Sequence, residues 1–136
     1  MTVEESVVVA RPPEEVYDFV ADLERGPEWQ SSLESVDVAR GTEVRSFGGR
    51  QREATFHVTE QDRPSRFGVE SRAGSIEARA LFTLAPVGED TRVDFRLDLE
   101  LGVGGTGGRL AAAVLRGRVA REARQNLERL KERLEA

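Results

Sequence analysis

The chain has 136 residues, one histidine, no cysteine and a net charge of −5, a length that fits a single domain over residues 1–136. Lack of cysteine excludes disulfides, thiolate metal sites and a thiol nucleophile, and one histidine excludes His-rich metal clusters. The acidic balance argues against general nucleic-acid binding, because phosphates must be met by surplus cations.

The first stretch, VEESVVVA (Val3–Ala10), is short and β-branched and reads as a strand. It carries acids where a signal peptide needs a basic region, and no apolar run of the chain is long enough to cross a bilayer. A cytoplasmic location without stable membrane insertion is therefore expected. Pro12-Pro13 followed by Glu14-Glu15 marks a helix start, with φ preset and acids at the positive end of the dipole. Val16, Phe19, Val20 and Leu23 then recur at helical spacing, so this helix buries one face. Gly26-Pro27 interrupts it, and a second short helical turn is expected around Glu28–Ser31. That turn holds Trp29, the only tryptophan, inside the charged stretch DLERGPEWQ (Asp22–Gln30).

Beyond it the period changes to two. Turn signals at Gly41, Gly48-Gly49, Pro64, Gly74 and Gly88 separate strands at roughly 33–40, 42–47, 50–60, 66–73, 75–85 and 91–101. Such short spacing leaves no room for crossover helices, so the strands form an antiparallel meander. The glycine-rich GVGGTGG (102–108) lacks the Lys-Ser/Thr of a phosphate loop and reads as a flexible corner. A long helix over about 108–134 follows. Arg109–Ala136 carries eight basic and four acidic residues, a local +4 against −9 elsewhere.

Alternation defines the faces of the sheet. In TRVDFRLDLEL, Val93, Phe95, Leu97, Leu99 and Leu101 point one way and the charged residues the other. Ile76, Ala78, Ala80, Phe82 and Leu84 share a face, as do Ala54, Phe56 and Val58, and Phe67, Val69, Ser71 and Ala73. The small residues of this apolar face either admit a closely packed helix or leave a ligand cavity. His57 has the outward phase of Glu53 and Thr55, so no Ser-His-Asp site forms. The carboxylates alternate outward, leaving no inward pair for acid–base work. No catalytic residue and no metal ligand is assigned.

On the last helix Ala112, Val119, Ala123, Leu127, Leu130 and Leu134 form one stripe. Arg116 falls inside it. It either snorkels to the rim and pairs locally, or points at the cavity mouth toward a polar group of a ligand. A membrane-surface role for the local +4 requires an exposed apolar stripe, which the sheet is expected to cover.

Three stretches carry a family resemblance: VVVARPPEEVYDFVADLERGPEWQ, RVDFRLDLEL and NLERLKERLEA. The chain resembles the START-like (SRPBCC) superfamily, and within it the bacterial polyketide cyclase/dehydrase and lipid-transport-like group. That resemblance implies an α+β helix-grip fold: a curved antiparallel sheet of about seven strands wrapped on a long C-terminal helix, with two short helices after strand 1. It implies no cofactor and a small hydrophobic ligand between sheet and helix, with Trp29 plugging the open end. The candidate ligand contacts are then Trp29, Phe56 and Val58, with Phe67, Val69 and Ser71 on the next strand. Ala80, Phe82, Phe95, Leu97 and Arg116 complete them. The reading that follows is a carrier of a lipid, isoprenoid or polyketide-like compound. The alternatives are a polyketide cyclase or dehydratase using Arg116, Tyr17 or Ser71, and a protein-interaction module.

Overall fold

The computed structural model describes residues 1–47, 49–101 and 108–136. Strand β1 (Thr2–Val9) leads into helix α1 (Pro13–Ala21) and a 3₁₀ helix (Leu23–Glu28). Six strands follow: β2 (Leu33–Asp37), β3 (Thr42–Phe47), β4 (Arg50–Asp62), β5 (Arg66–Ala73), β6 (Ile76–Val87) and β7 (Asp90–Glu100). Helix α2 (Gly108–Glu135) ends the fold. The seven strands form one antiparallel sheet in the order β1-β7-β6-β5-β4-β3-β2. This is the expected helix-grip architecture. Gly41, Gly49, Gly74 and Gly88 all have positive φ, the conformation that each tight reversal demands and that glycine adopts without strain. Most of the corner expected at GVGGTGG, residues 102–107, lies outside the described residues, as does Gly48.

Two boundaries differ from expectation. The second helical turn precedes Trp29 rather than containing it. Its last turn closes when the amides of Trp29 and Gln30 both donate to Gly26 O, at 3.1 and 2.9 Å. Pro27, which has no N–H to give, therefore sits inside a tight turn rather than at the start of a new helix. Strand β2 stops at Asp37, whose carboxylate accepts the Arg40 amide (3.2 Å) and turns the chain early.

Helix α2 is fastened along β1 on one side and to the segment preceding β2 on the other. Arg116 Nη2 donates to Thr2 O (2.8 Å), Arg124 Nη2 to Glu5 (2.9 Å) and Lys131 Nζ to Val8 O (2.8 Å), while Glu135 accepts the Ala10 amide (2.7 Å). The lengths agree: from Arg116 to Glu135 a helix rises about 28 Å, and from Thr2 to Ala10 a strand spans about 27 Å. The helix thus runs along edge strand β1 and occupies its open polar groups. On the other side the Ser31 amide donates to Asn126 Oδ1 (3.1 Å), and Arg133 binds Glu28.

The close-packed core lies under the second half of α2. Val9, Val16, Val20, Phe67 and Val93 meet Leu127 and Leu130 there. Ala112, expected in the buried stripe, is exposed, and so is every residue from Arg109 to Val114. Among the described residues the first turns of the helix have nothing over them, so the buried stripe begins only near Leu115 and Val119.

Glu28 joins the 3₁₀ helix to α2. Hydrogen bonds from Arg25 and then Arg133 hold its carboxyl at about 2, below the ordinary 4.5. A lowered carboxylate pKa stabilises the fold above the unfolded value, and that contribution is lost as pH falls through the folded one. The melting temperature should therefore drop between about pH 4.5 and 2, and Glu28→Gln should flatten part of that drop in a pH series of thermal melts. An unchanged slope would show that these bonds do not persist in water.

Candidate functional site

The inner face of the sheet and α2 enclose a cavity of about 540 Å³, within the ordinary range of small-molecule sites. The register explains why it is not filled. Ala78 lies opposite Leu99 and Ala80 opposite Leu97, so small side chains alternate with large ones across β6 and β7. Ala54 and Ala73 line the same space. The helix contributes Leu115, Val119 and Ala123 to the facing wall. All four inward alanines border the void rather than bringing the helix onto the sheet.

Trp29 is both plug and wall. It is 3% exposed and borders the cavity, with its ring edge-on to Phe82 at 5.9 Å. Phe82 in turn packs on Phe95 at 4.9 Å, which carries the contact across to β7. The indole Nε1 is buried with no hydrogen-bond partner among the described residues.

Of the contacts expected from sequence, Phe56, Phe67, Val69, Ser71, Ala80, Phe82, Phe95 and Leu97 join Trp29 around the cavity. Val58 does not. It pairs in register with Val69 on β5, yet it packs against the buried core cluster instead of bordering the void. Arg116 does not reach the wall either. It lies on the flank of α2 that faces β1, where its guanidinium holds Thr2 O, and Arg118 borders the cavity instead. Tyr17 is also away from the wall, buried edge-on against Phe67 at 6.0 Å. Burial, followed by the charge of Asp62, raises its phenol pKa. His57 faces outward as expected, with Nε2 3.2 Å from Glu70.

Sequence reasoning missed a polar cluster inside the cavity. Glu43 is 7% exposed and borders it, contrary to the expectation that the carboxylates alternate outward. Arg45 Nε donates to Glu43 (2.9 Å), Nη1 to Ser32 Oγ (3.1 Å) and Nη2 to Gln30 Oε1 (3.0 Å). A signal for this existed. The β3–β4 register pairs Glu43 with Ala54 and Arg45 with Arg52, so the inward phase of Ala54 transfers to both. Arg52, Arg50 and Arg118, all exposed, place further positive charge at the rim. The site therefore has an apolar body, a buried carboxylate held by a partly buried guanidinium on one wall, and an arginine-rich mouth. Among the described residues, no three His, Asp or Glu side chains converge as metal ligands.

Residues 1–135 match the family described as polyketide cyclase / dehydrase and lipid transport, and the chain belongs to that family. No match was found among curated proteins. Solved structures share the fold over nearly the whole chain. TTHA0849 from Thermus thermophilus aligns with a TM-score of 0.84 at 24% identity, covering 98% of this chain and 97% of that one. A START superfamily protein from Mycobacterium smegmatis gives 0.79 at 18% identity, with 98% and 97% covered. The ZhuI aromatase/cyclase from Streptomyces sp. R1128 gives 0.79 at 17% identity, with 99% and 93% covered.

The Glu43–Arg45 pair makes a stability prediction. Arg45→Ala strands a buried carboxylate and should destabilise the protein by about 1–3 kcal/mol in urea unfolding. Glu43→Gln keeps an acceptor for Arg45 and should cost less. Equal effects would mean that Arg45 acts through packing of its stem alone.

Proposed function

We propose that the protein binds and carries a small amphipathic molecule of lipid, isoprenoid or polyketide-like character. Its apolar body would lie between β6, β7 and α2, with its polar group toward Arg52 and Arg118. The observation that carries this reading is the cavity itself: about 540 Å³, bordered by Ala54, Ala73, Ala78 and Ala80 where larger side chains would close it. An apolar enclosure with a few convergent polar groups is the usual form of a ligand site. The family description, which includes lipid transport, supports the same reading.

One observation favours a second reading, a cyclase- or dehydratase-type enzyme. Glu43 is an inward carboxylate within the cavity wall, and Arg45 and Ser71 could polarise a carbonyl held nearby. Positioning of a flexible chain in such an enclosure is itself a large part of catalysis. A carrier binds its ligand and releases it unchanged. An enzyme converts it, and Glu43→Gln would then stop conversion while leaving binding intact.

Titration with a dansyl-labelled undecanoic acid tests the carrier reading. The expected result is saturable binding of one probe per chain. Ala80→Phe should fill the space beside Leu97 and weaken binding about tenfold or more, with the melting temperature unchanged or raised. Arg52→Ala and Arg118→Ala should weaken the acid and spare the matching alcohol. Wild-type affinity in Ala80→Phe would place the probe elsewhere and remove the basis of the proposal.

A further inference from the structure

We infer that the N-terminal end of α2 is a docking surface for anionic lipid bilayers, set beside the mouth of the cavity. The first observation is apolar exposure. Leu110 is 79% exposed and Val114 55% exposed, one helical turn apart on the same stripe. Leu101, which borders the cavity at the end of β7, is 39% exposed. At 100° per residue, Arg118 and Arg121 share the outward sector of Leu110 and Val114, while Val119 and Ala123 face the sheet.

The second observation is charge. Arg109, Arg116, Arg118 and Arg121 precede the first acid of the helix, Glu122, in a chain whose net charge is −5. The first turn of α2 contains no acidic residue. Acids are the residues that would favour a helix start, and Arg109 stands there instead. Arg116 is taken up by Thr2 O, but Arg118 and Arg121 flank the exposed aliphatics and Arg109 stands at the helix start, a combination that fits an anionic bilayer. The aliphatics enter the headgroup boundary while guanidinium groups meet lipid phosphates.

The third observation is position. The bonds that fasten α2 to β1 begin at Arg116, so Arg109–Val114 lies upstream of them. Leu115 and Arg118, the next residues along, border the cavity. A bilayer held at this end would therefore face the cavity mouth. An acidic protein would also satisfy the arginines, but it gives no particular reason for Leu110 and Val114 to stand bare next to an apolar cavity. The surface stands apart from the identity of the cavity's occupant.

Co-sedimentation with vesicles tests it. The full chain should bind phosphatidylcholine vesicles containing phosphatidylglycerol, bind pure phosphatidylcholine weakly, and lose its extra affinity for the anionic vesicles in high salt. The double variant Leu110→Asp, Val114→Asp places acids near a helix start, which favours folding. It should lose vesicle affinity about tenfold or more, as should Arg109→Glu, Arg121→Glu. Both variants should keep the wild-type melting temperature and the wild-type affinity for the dansyl acid, which separates a failed surface from a failed cavity. Absence of vesicle binding by the wild type would overturn the inference, as would variants that bind like wild type. So would self-association through this patch in sedimentation equilibrium, or binding of an acidic protein that the same substitutions abolish while vesicles stay unbound.

Discussion

The structure depends on how α2 is fastened. Among the described residues its bonds run along one edge strand, from Thr2 to Ala10, and reach the opposite side through the segment around Glu28 and Ser31. A helix held at its flanks does not have to settle onto the middle of the sheet. Where long side chains reach inward, at Leu127 and Leu130, the space closes into core. Where the helix offers Val119 and Ala123 to strands bearing alanines, the space stays open. One geometry accounts for both the stable half of the molecule and the hollow half.

The hollow half has a distinct chemistry at each boundary. Aromatic contacts from Trp29 through Phe82 to Phe95 form a stiff apolar floor. Beside it, the partly buried Arg45 makes bonds to Glu43, Ser32 and Gln30, so the buried Glu43 carboxylate keeps its counter-charge and that charge keeps further partners. The same guanidinium ties β3 to the segment carrying Trp29. The plug and the polar wall are thus parts of one connected support, and a ligand touching either would sense the other.

Much of this was legible in the sequence, for identifiable reasons. Strict alternation in β6 and β7 assigns each residue to a face, and the glycine turns leave only an antiparallel meander between them. The burial of Trp29 in a charged stretch followed from the family likeness, and the structure supplies its cause in the Phe82 ring. Other features escaped because they depend on registry between elements. Val58 shares the inward phase of Phe56 but packs against the core cluster, and alternation along a strand does not mark where the void ends. Helical phase places Arg116 near the buried stripe, yet whether a flank meets β1 or the cavity depends on where the helix crosses. Glu43 escaped because its strand was not phased against β4. The bare first turns of α2 depend on where the sheet ends beneath it.

The central claim is that an open apolar cavity lies between β6, β7 and α2. A crystal structure under xenon pressure tests it most directly, because xenon enters apolar voids that protein atoms leave unfilled. The account predicts bound xenon bordered by Ala80, Leu97 and Val119. Absence of xenon there, with Phe95 or Leu97 turned into the space and α2 seated on the alanines, would contradict it.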